Sequence, residues 1–404
     1  VFRAGDASEL VGQRLRTALA AAGDDQIVFD LDGIAGRSAA LRRELPGVRV
    51  RFAMKACPVD EVIGRLAGEG AGVDAASPGE IAQALAAGVA AGAIHYGNTV
   101  KSDRHIADAY RLGVRDFATD SVEDVAAIAA GAPGSRVFCR LATDGDGALW
   151  GLSRKCGCSV ADAVLVLDRA RELGLTPAGL SVHVGSQQLT VRAWRTAFDL
   201  IAEAITELSL RGIVLDHVNL GGGLPALGYL DRHGRALAPP LDAMFAAIRT
   251  GMRELRRLAP APLDLVMEPG RHLVADHGVI RAHVSRLSAR RRPDGRRQHW
   301  LYLSCGRFNG LYESDQLRYR LVFPTRSDAD LVPAVVAGPT CDSDDILGAE
   351  PTLVPATVVS GDPVWILACG AYSVSYQTQG FNGFFPLPHT FAPSLVPAST
   401  PGPV

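Results

Sequence analysis

The stretch RVRFAMKACPVDEVIGRLAGEGAGVDAAS, Arg49–Ser77, holds a short apolar run, a segment of helical periodicity and a second apolar run. Strand, helix and strand at this spacing make a parallel βαβ unit, because a crossover must carry the chain back before a parallel neighbour can start. The same alternation runs on to Gly270. Strand-like runs occupy Arg49–Lys55, Gly72–Ser77, Ala93–Asn98, Arg115–Asp120, Arg136–Ala142, Gly179–Gly185, Asp216–Gly223 and Leu263–Gly270. Helix-period segments such as Asp60–Gly68, Pro78–Ala90, Val122–Ala130, Val160–Leu173, Ala193–Arg211 and Leu241–Leu258 lie between them. Eight strands in one role predict an α/β fold, a closed (β/α)8 barrel, with an open doubly wound sheet as the rival. An opening strand-like run, Gln26–Asp32, precedes the eight, and the barrel domain is predicted over residues 26–270.

After Gly270 the pattern changes. Val279–Ser288, His299–Ser304, Leu331–Ala337, Thr352–Val359 and Pro363–Ala368 are strand-like, with Pro, Gly and Asp between them. They predict a second, β domain over 271–404, a sandwich or small barrel, with residues 1–25 packed beside it. The tail after Pro386 is rich in Pro, Ser and Thr, which predicts loose order.

The 404 residues exceed one ordinary domain, and 48% hydrophobic against 21% charged residues exclude a wholly disordered chain. A balance of 41 basic and 43 acidic side chains, net −2, gives no global pull toward nucleic acid or an anionic membrane. No apolar run is long enough for a membrane span, and the most apolar stretch, Ala84–Ile94, is short and rich in Ala and Gly. Seven cysteines, at 57, 139, 156, 158, 305, 341 and 369, lack a paired framework, which predicts a reduced, cytoplasmic chain. No signal-peptide pattern opens the chain, and the start at Val1 rather than Met predicts a few missing residues. Arg286, Arg290, Arg291, Arg292, Arg296 and Arg297 surround the turn signal Pro293-Asp294-Gly295. Charge runs at turns usually face water, so a solvated hairpin tip is preferred to a nucleic-acid patch.

Barrel enzymes build their sites at the C-terminal ends of the strands. Those ends carry Met54-Lys55-Ala56, Asp74, Tyr96-Gly97-Asn98, His183 with Gly185-Ser186, Gly221-Gly222-Gly223 and Glu268-Pro269-Gly270-Arg271. The β domain adds Gly338-Pro339-Thr340-Cys341-Asp342, Gly370-Ala371-Tyr372 and Phe381-Asn382-Gly383-Phe384. Each has a bland reading and a chemical one. Lys55 is half of a buried ion pair or a Schiff-base nucleophile. Three glycines after a strand make a tight turn or let backbone approach a phosphate, which Arg271 could clamp. Glu268 salt-bridges locally or pairs with a protonated ring nitrogen. His183 is a core histidine or stacks on a flat cofactor. Cys341 is a small hydrophobe or a proton donor. Together, a lysine amine, a phosphate cup, a carboxylate for a pyridinium and an aromatic face are the parts that pyridoxal phosphate needs.

In this order the motifs resemble the fold-type III pyridoxal-phosphate decarboxylases, the ornithine/lysine, diaminopimelate and arginine decarboxylase superfamily. The resemblance runs from Val28-Phe29-Asp30 to Phe381-Asn382-Gly383-Phe384. Tyr96–Lys101, Leu152-Ser153-Arg154-Lys155, His183–Gln188 and Gly338–Asp342 look most like bacterial ornithine-decarboxylase-like members. It implies pyridoxal 5'-phosphate as the cofactor and no metal. Lys55 would carry the cofactor, Glu268 would hold its ring nitrogen protonated, and His183 would stack on the ring. Ser186, Gly221, Gly222, Gly223, Arg271 and Tyr372 would bind the phosphate, with Asp74 near the lysine or the ring hydroxyl. Cys341 would reprotonate Cα after carbon dioxide leaves. Asp342, Tyr372, Phe381 and the segment at Ser304 and Cys305 would meet the substrate. The Cys341-Asp342 segment would reach the partner subunit's barrel, making a homodimer with shared sites. The implied reaction is decarboxylation of a small amino acid to an amine, with an ornithine- or lysine-like substrate first.

The chain departs from that pattern at three places, one of them Phe308-Asn309-Gly310, where bacterial relatives have a glycine pair. Where ornithine and lysine decarboxylases carry an acid for the distal ammonium, Ser304 and Cys305 stand instead; Asp342, Asp344 and Asp345 remain nearby. This leaves a modified or conjugated amino acid as the alternative substrate. Gly151 stands where many members have an arginine, with Arg154 three residues on. An alanine-racemase-like enzyme would need a tyrosine base opposite the lysine, against which Cys341-Asp342 argues. A regulatory relative without cofactor is disfavoured by Lys55, Glu268, Arg271 and Cys341 together.

Overall fold

The computed structural model describes residues 11–151, 155–326, 329–348 and 350–394, and it divides into two compact units. One comprises residues 37–226 and 238–272; the other comprises residues up to 36, 227–237 and 273 onward. The sequence motif Leu152-Ser153-Arg154, with it the arginine suggested to stand in for one at Gly151, lies outside the described residues, as do residues 1–10 and 395–404.

Strand β1 (Gln26–Phe29) opens the order. The eight strands β2 (Arg49–Ala53), β3 (Gly72–Ala75), β4 (Ile94–Tyr96), β5 (Asp116–Thr119), β6 (Arg136–Arg140), β8 (Thr176–Ser181), β10 (His217–Asn219) and β11 (Asp264–Met267) close into a parallel barrel. Between them, β7 (Ala148–Trp150) and β9 (Ser186–Gln188) form a small antiparallel ribbon. All eight barrel strands fall within the runs expected from sequence except that β8 starts three residues earlier, at Thr176. Each ladder stops short of the expected end, so Lys55, His183, Gly221–Gly223 and Glu268 lie just beyond the strands. The open-sheet rival fails because β10 and β11 continue the ring from β8 to β2.

Local chemistry starts the helices. Ser77, Ser102, Ser121 and Ser159 each accept a hydrogen bond from the backbone N–H three residues on, capping helices Pro78–Ala86, Asp103–Arg111, Val122–Gly131 and Val160–Glu172. Such a cap stabilises a helix by about 1 kcal/mol. Helix Arg192–Leu210 buries Trp194, Ile201, Ala204, Ile205 and Leu208, an apolar stripe at helical spacing. Phe52, Phe117, Phe138, Leu180 and Val218 are fully buried on the strands.

The second unit holds β12 (Gly278–Arg291), β13 (Arg297–Leu303), β14 (Leu321–Val322), β15 (Leu331–Ala337), β16 (Thr352–Pro355), β17 (Pro363–Ile366) and β18 (His389–Phe391). With β1 they make one eight-stranded mixed sheet. Strand β12 spans it: its first half pairs with β1 and β17, its second half with β13, and the register shifts between Val284 and Arg286.

Two boundaries need correction. Residues 26–29 belong to the sheet rather than to a barrel starting at 26, because Gln26–Phe29 pairs antiparallel with Gly278–Arg281. Arg271 and His272 stay with the barrel unit rather than opening a domain at 271. The tail expected to be loose after Pro386 contributes β18, which pairs parallel to β1. Helix Gln13–Ala21 covers this region: Val11, Leu15 and Leu19 cluster with Val28, Val279, Val322, Trp365 and Ala392. The arginine-rich turn is the exposed tip between β12 and β13, with Arg290 stacked over Trp300. Among the described residues no helix is long and apolar enough to cross a membrane.

Candidate active site

At the barrel mouth, β2 ends in a short 3-10 turn, Met54–Ala56, that lifts Lys55 out of the ladder and leaves it exposed. Its Nζ donates to Asp74 Oδ2 at 3.1 Å. Strands β3 and β4 are in register with Asp74 beside His95, and His95 Nε2 lies 3.2 Å from Asp74 Oδ1. The same nitrogen lies 2.9 Å from Glu268 Oε1, which also accepts a hydrogen bond from Asn219 Nδ2. Burial alone would raise the Asp74 carboxyl, but the Lys55 ammonium and His95 outweigh it and hold it well below the usual carboxylate range. Burial alone would lower His95, but its bonds to Asp74 and Glu268 outweigh that and raise it. A side chain at Gly97 would collide with Asp74, since its Cβ would lie 1.8 Å from Oδ1.

A second group brings together a cation, a hydroxyl, a glycine turn and an imidazole, chemistry able to receive an anion and a flat ring. Arg271 is buried, with Nη2 3.2 Å from Ser186 Oγ and its guanidinium 4.5 Å from the centre of the Trp150 ring. Ribbon β7–β9 sets Trp150 opposite Ser186. The Gly221–Gly223 turn passes His183: a Cβ on Gly222 would lie 3.3 Å from His183 Nε2. Gly223 has φ +101°, and a side chain there would meet the Gly185 carbonyl at 2.7 Å. His183 Nδ1 accepts the Gly185 N–H at 3.0 Å. Desolvation and the Arg140 and Lys55 charges push its pKa down to about 3, so the imidazole is neutral.

The remaining candidates belong to the sheet unit. Cys341 is exposed, and its N–H donates to Asn382 Oδ1 at 2.9 Å. Asn382 holds a left-handed conformation, φ 53°, beside Phe381, whose ring centre is 4.8 Å from that of Phe308. Tyr372 stacks on Tyr376 at 5.5 Å. Asp342 is half-buried. Buried Asp345 accepts from Arg307 N–H at 2.7 Å and from Thr340 N–H and Oγ1 at 3.0 and 2.7 Å, tying the Cys341 loop to the segment after Ser304-Cys305. Ser304 Oγ accepts the His283 N–H at 2.9 Å, and Cys305 is fully buried. Gly151 is exposed.

The donor set of the barrel fits pyridoxal phosphate. An exposed lysine amine is paired with a carboxylate, a second carboxylate is held in place by two donors, a neutral imidazole offers its face, and a buried arginine with a serine hydroxyl flanks a glycine turn. A barrel with this mouth defines a pyridoxal-phosphate enzyme. The family model for the pyridoxal-binding domain of pyridoxal-dependent decarboxylases matches residues 31–275. The lysine/ornithine decarboxylase of Selenomonas ruminantium is 30% identical over 365 residues, covering 90% of this chain and 88% of that one. The crystal structure of a Vibrio vulnificus lysine/ornithine decarboxylase with putrescine has a TM-score of 0.80 at 28% identity, covering 93% of this chain and 96% of that one. That of SrLDC with PLP and cadaverine has a TM-score of 0.81 at 28% identity, covering 94% of each chain. The chain belongs to the pyridoxal-dependent decarboxylases, and pyridoxal phosphate is its cofactor.

His95, Asn219, Trp150 and Asn382 were not singled out from sequence, and Asp345 was named only as an acid near Asp342, not for its bonds to Arg307 and Thr340. Asn219, two residues before Gly221, and Asn382, inside a quoted motif, were within reach of that reading. His95 was not, because its role arises only from neighbours on other strands.

Proposed function

We propose that this enzyme decarboxylates an L-amino acid of the ornithine/lysine type to the corresponding diamine, as a homodimer with shared sites. The observation that carries the chemistry is the Lys55–Asp74 pair joined through His95 to Glu268. Pyridoxal phosphate, when bound, supplies an electron sink for the pair left behind by carbon dioxide. Lys55 holds it covalently, and Asp74 keeps the amine oriented. Glu268 accepts a hydrogen bond from the ring nitrogen. Arg271, Ser186 and the Gly221–Gly223 turn, with Tyr372, bind the phosphate. His183, being neutral, can lie on a cationic ring without charge repulsion. Cys341 delivers the proton to Cα, and Asp342 and Phe381 meet the substrate.

Support for the dimer comes from exposed aromatic side chains of the sheet unit. Tyr312, Tyr376, Phe381 and Phe385 are exposed in the same unit as the Cys341 thiol, and exposed apolar patches mark interaction surfaces. A cytoplasmic location is proposed from the spacing of the seven cysteines, which carries no paired framework. The diamino-acid substrate class is supported by the names of the relatives. A modified or conjugated amino acid is the second reading, favoured by Ser304 and Cys305: one hydroxyl is engaged by backbone and the other side chain is buried, and neither carries charge.

Carbon dioxide release from the cofactor-loaded protein decides between them. The panel holds L-ornithine, L-lysine, L-arginine, meso-diaminopimelate and N-acylated or citryl-conjugated diamino acids. Strong turnover of ornithine or lysine supports the first reading. Silence on free diamino acids with turnover of a conjugate overturns it in favour of the second.

A further inference from the structure

Glu268 Oε1 accepts two hydrogen bonds, from His95 Nε2 and from Asn219 Nδ2. Two donors satisfy an sp2 oxygen, which leaves Oε2 as the acceptor for a third partner. Asp74 is divided in the same way: Oδ2 takes the Lys55 ammonium and Oδ1 takes His95. His95 Nε2 therefore sits between two carboxylates, and its one N–H faces both. The ring is fixed from the side by Phe138, 5.1 Å between ring centres, and the histidine is 2% exposed.

We propose that His95 is a positioning residue: its shared Nε2–H turns Glu268 so that Oε2 meets the cofactor's ring N–H, and locks that orientation to the carboxylate that holds Lys55. The inference rests on the reading of Glu268 as the ring-nitrogen partner. Without the histidine, the two carboxylates, with oxygens within 4.8 Å of each other, lose the donor they share. Like charges at that distance drive one carboxyl to take up a proton or turn away. A protonated or rotated Glu268 no longer favours a protonated ring nitrogen. The raised pKa of His95 agrees with this placement, since two carboxylates hold the donor in place.

The test compares the affinity of the full chain for pyridoxal phosphate with that for its deaza analogue, in which C–H replaces the ring nitrogen. Binding is read by absorbance or fluorescence titration, independently of turnover. The proteins are wild type, His95→Phe, His95→Gln and Glu268→Gln; His95→Met runs in parallel so that a second apolar replacement is available if the phenylalanine does not fold. Wild type should prefer the natural cofactor by about tenfold or more, the value of a hydrogen bond to a charged group. His95→Phe and His95→Met should lose most of that preference, and His95→Gln, which keeps a donor, should retain it. A merely structural histidine would weaken both ligands alike and leave the preference intact; that result overturns the inference. If Glu268→Gln also keeps the full preference, the reading of Glu268 fails and the inference falls with it. If only the Glu268 variant loses it, the role of His95 alone is overturned.

Discussion

Arg271 Nη2 lies 3.2 Å from Ser186 Oγ, bringing together two positions 85 residues apart in the chain. The guanidinium is buried on the Trp150 ring, so it is ordered before any anion arrives. Arg271→Ala should weaken pyridoxal-phosphate binding by roughly 10–100-fold, the range for a charge-assisted contact. Binding of pyridoxal, which lacks the phosphate, should hardly change. Equal losses for both ligands in a titration would show that Arg271 does not read the phosphate.

Lys55→Ala should leave no covalent cofactor. Borohydride treatment of the loaded protein followed by peptide mass mapping should find the label on Lys55 in wild type and on no lysine in the variant. A label at another lysine would sink the assignment.

Cys341→Ala should bind the cofactor with unchanged affinity but lose clean amine formation, because the proton arrives at the wrong place. Product analysis by NMR should show side products in place of the amine. A normal amine yield would remove Cys341 from the reaction.

The proposed sharing of sites across a dimer makes a further prediction. Lys55→Ala and Cys341→Ala subunits, mixed and re-associated, should recover amine formation to about a quarter of the wild-type value, since half the dimers are mixed and one of their two sites is intact. No recovery after demonstrated subunit exchange would mean that each chain completes its own site.

His95 carries a pH signature. It faces Asp74 and Glu268, with Arg51 the nearby opposing cation, and its pKa lies above the ordinary 6.5. A group whose folded value is raised stabilises the fold fully below the unfolded value, and that contribution is lost as pH climbs through the folded one. The melting-temperature gap between wild type and His95→Gln should therefore be widest below pH 6.5 and narrow as pH rises. A gap that widens with pH would mean that the imidazole is held neutral.

Much of this molecule is local, and what is local can be read along the chain. Alternating apolar runs and helix-period segments are short-range patterns, so the eight barrel strands were legible from Arg49 to Gly270. The candidate site side chains were legible too, because a barrel presents residues at its strand ends in sequence order. Lys55, Asp74, His183, Ser186, Glu268 and Arg271 all stand in the barrel unit at or beyond those ends. What required the tertiary structure was every relationship between distant strands. Gln26–Phe29 reads as one more barrel strand until its pairing with Gly278–Arg281 is seen. His95 reads as a polar residue in an apolar strand until register sets it beside Asp74 and barrel closure brings Glu268 to the same nitrogen. Sequence by itself determined which side chains reach the barrel mouth, because strand period and loop position are properties of a segment. Only the tertiary structure decided how their protons are shared, because a hydrogen bond depends on the register and closure of strands that the chain order keeps apart.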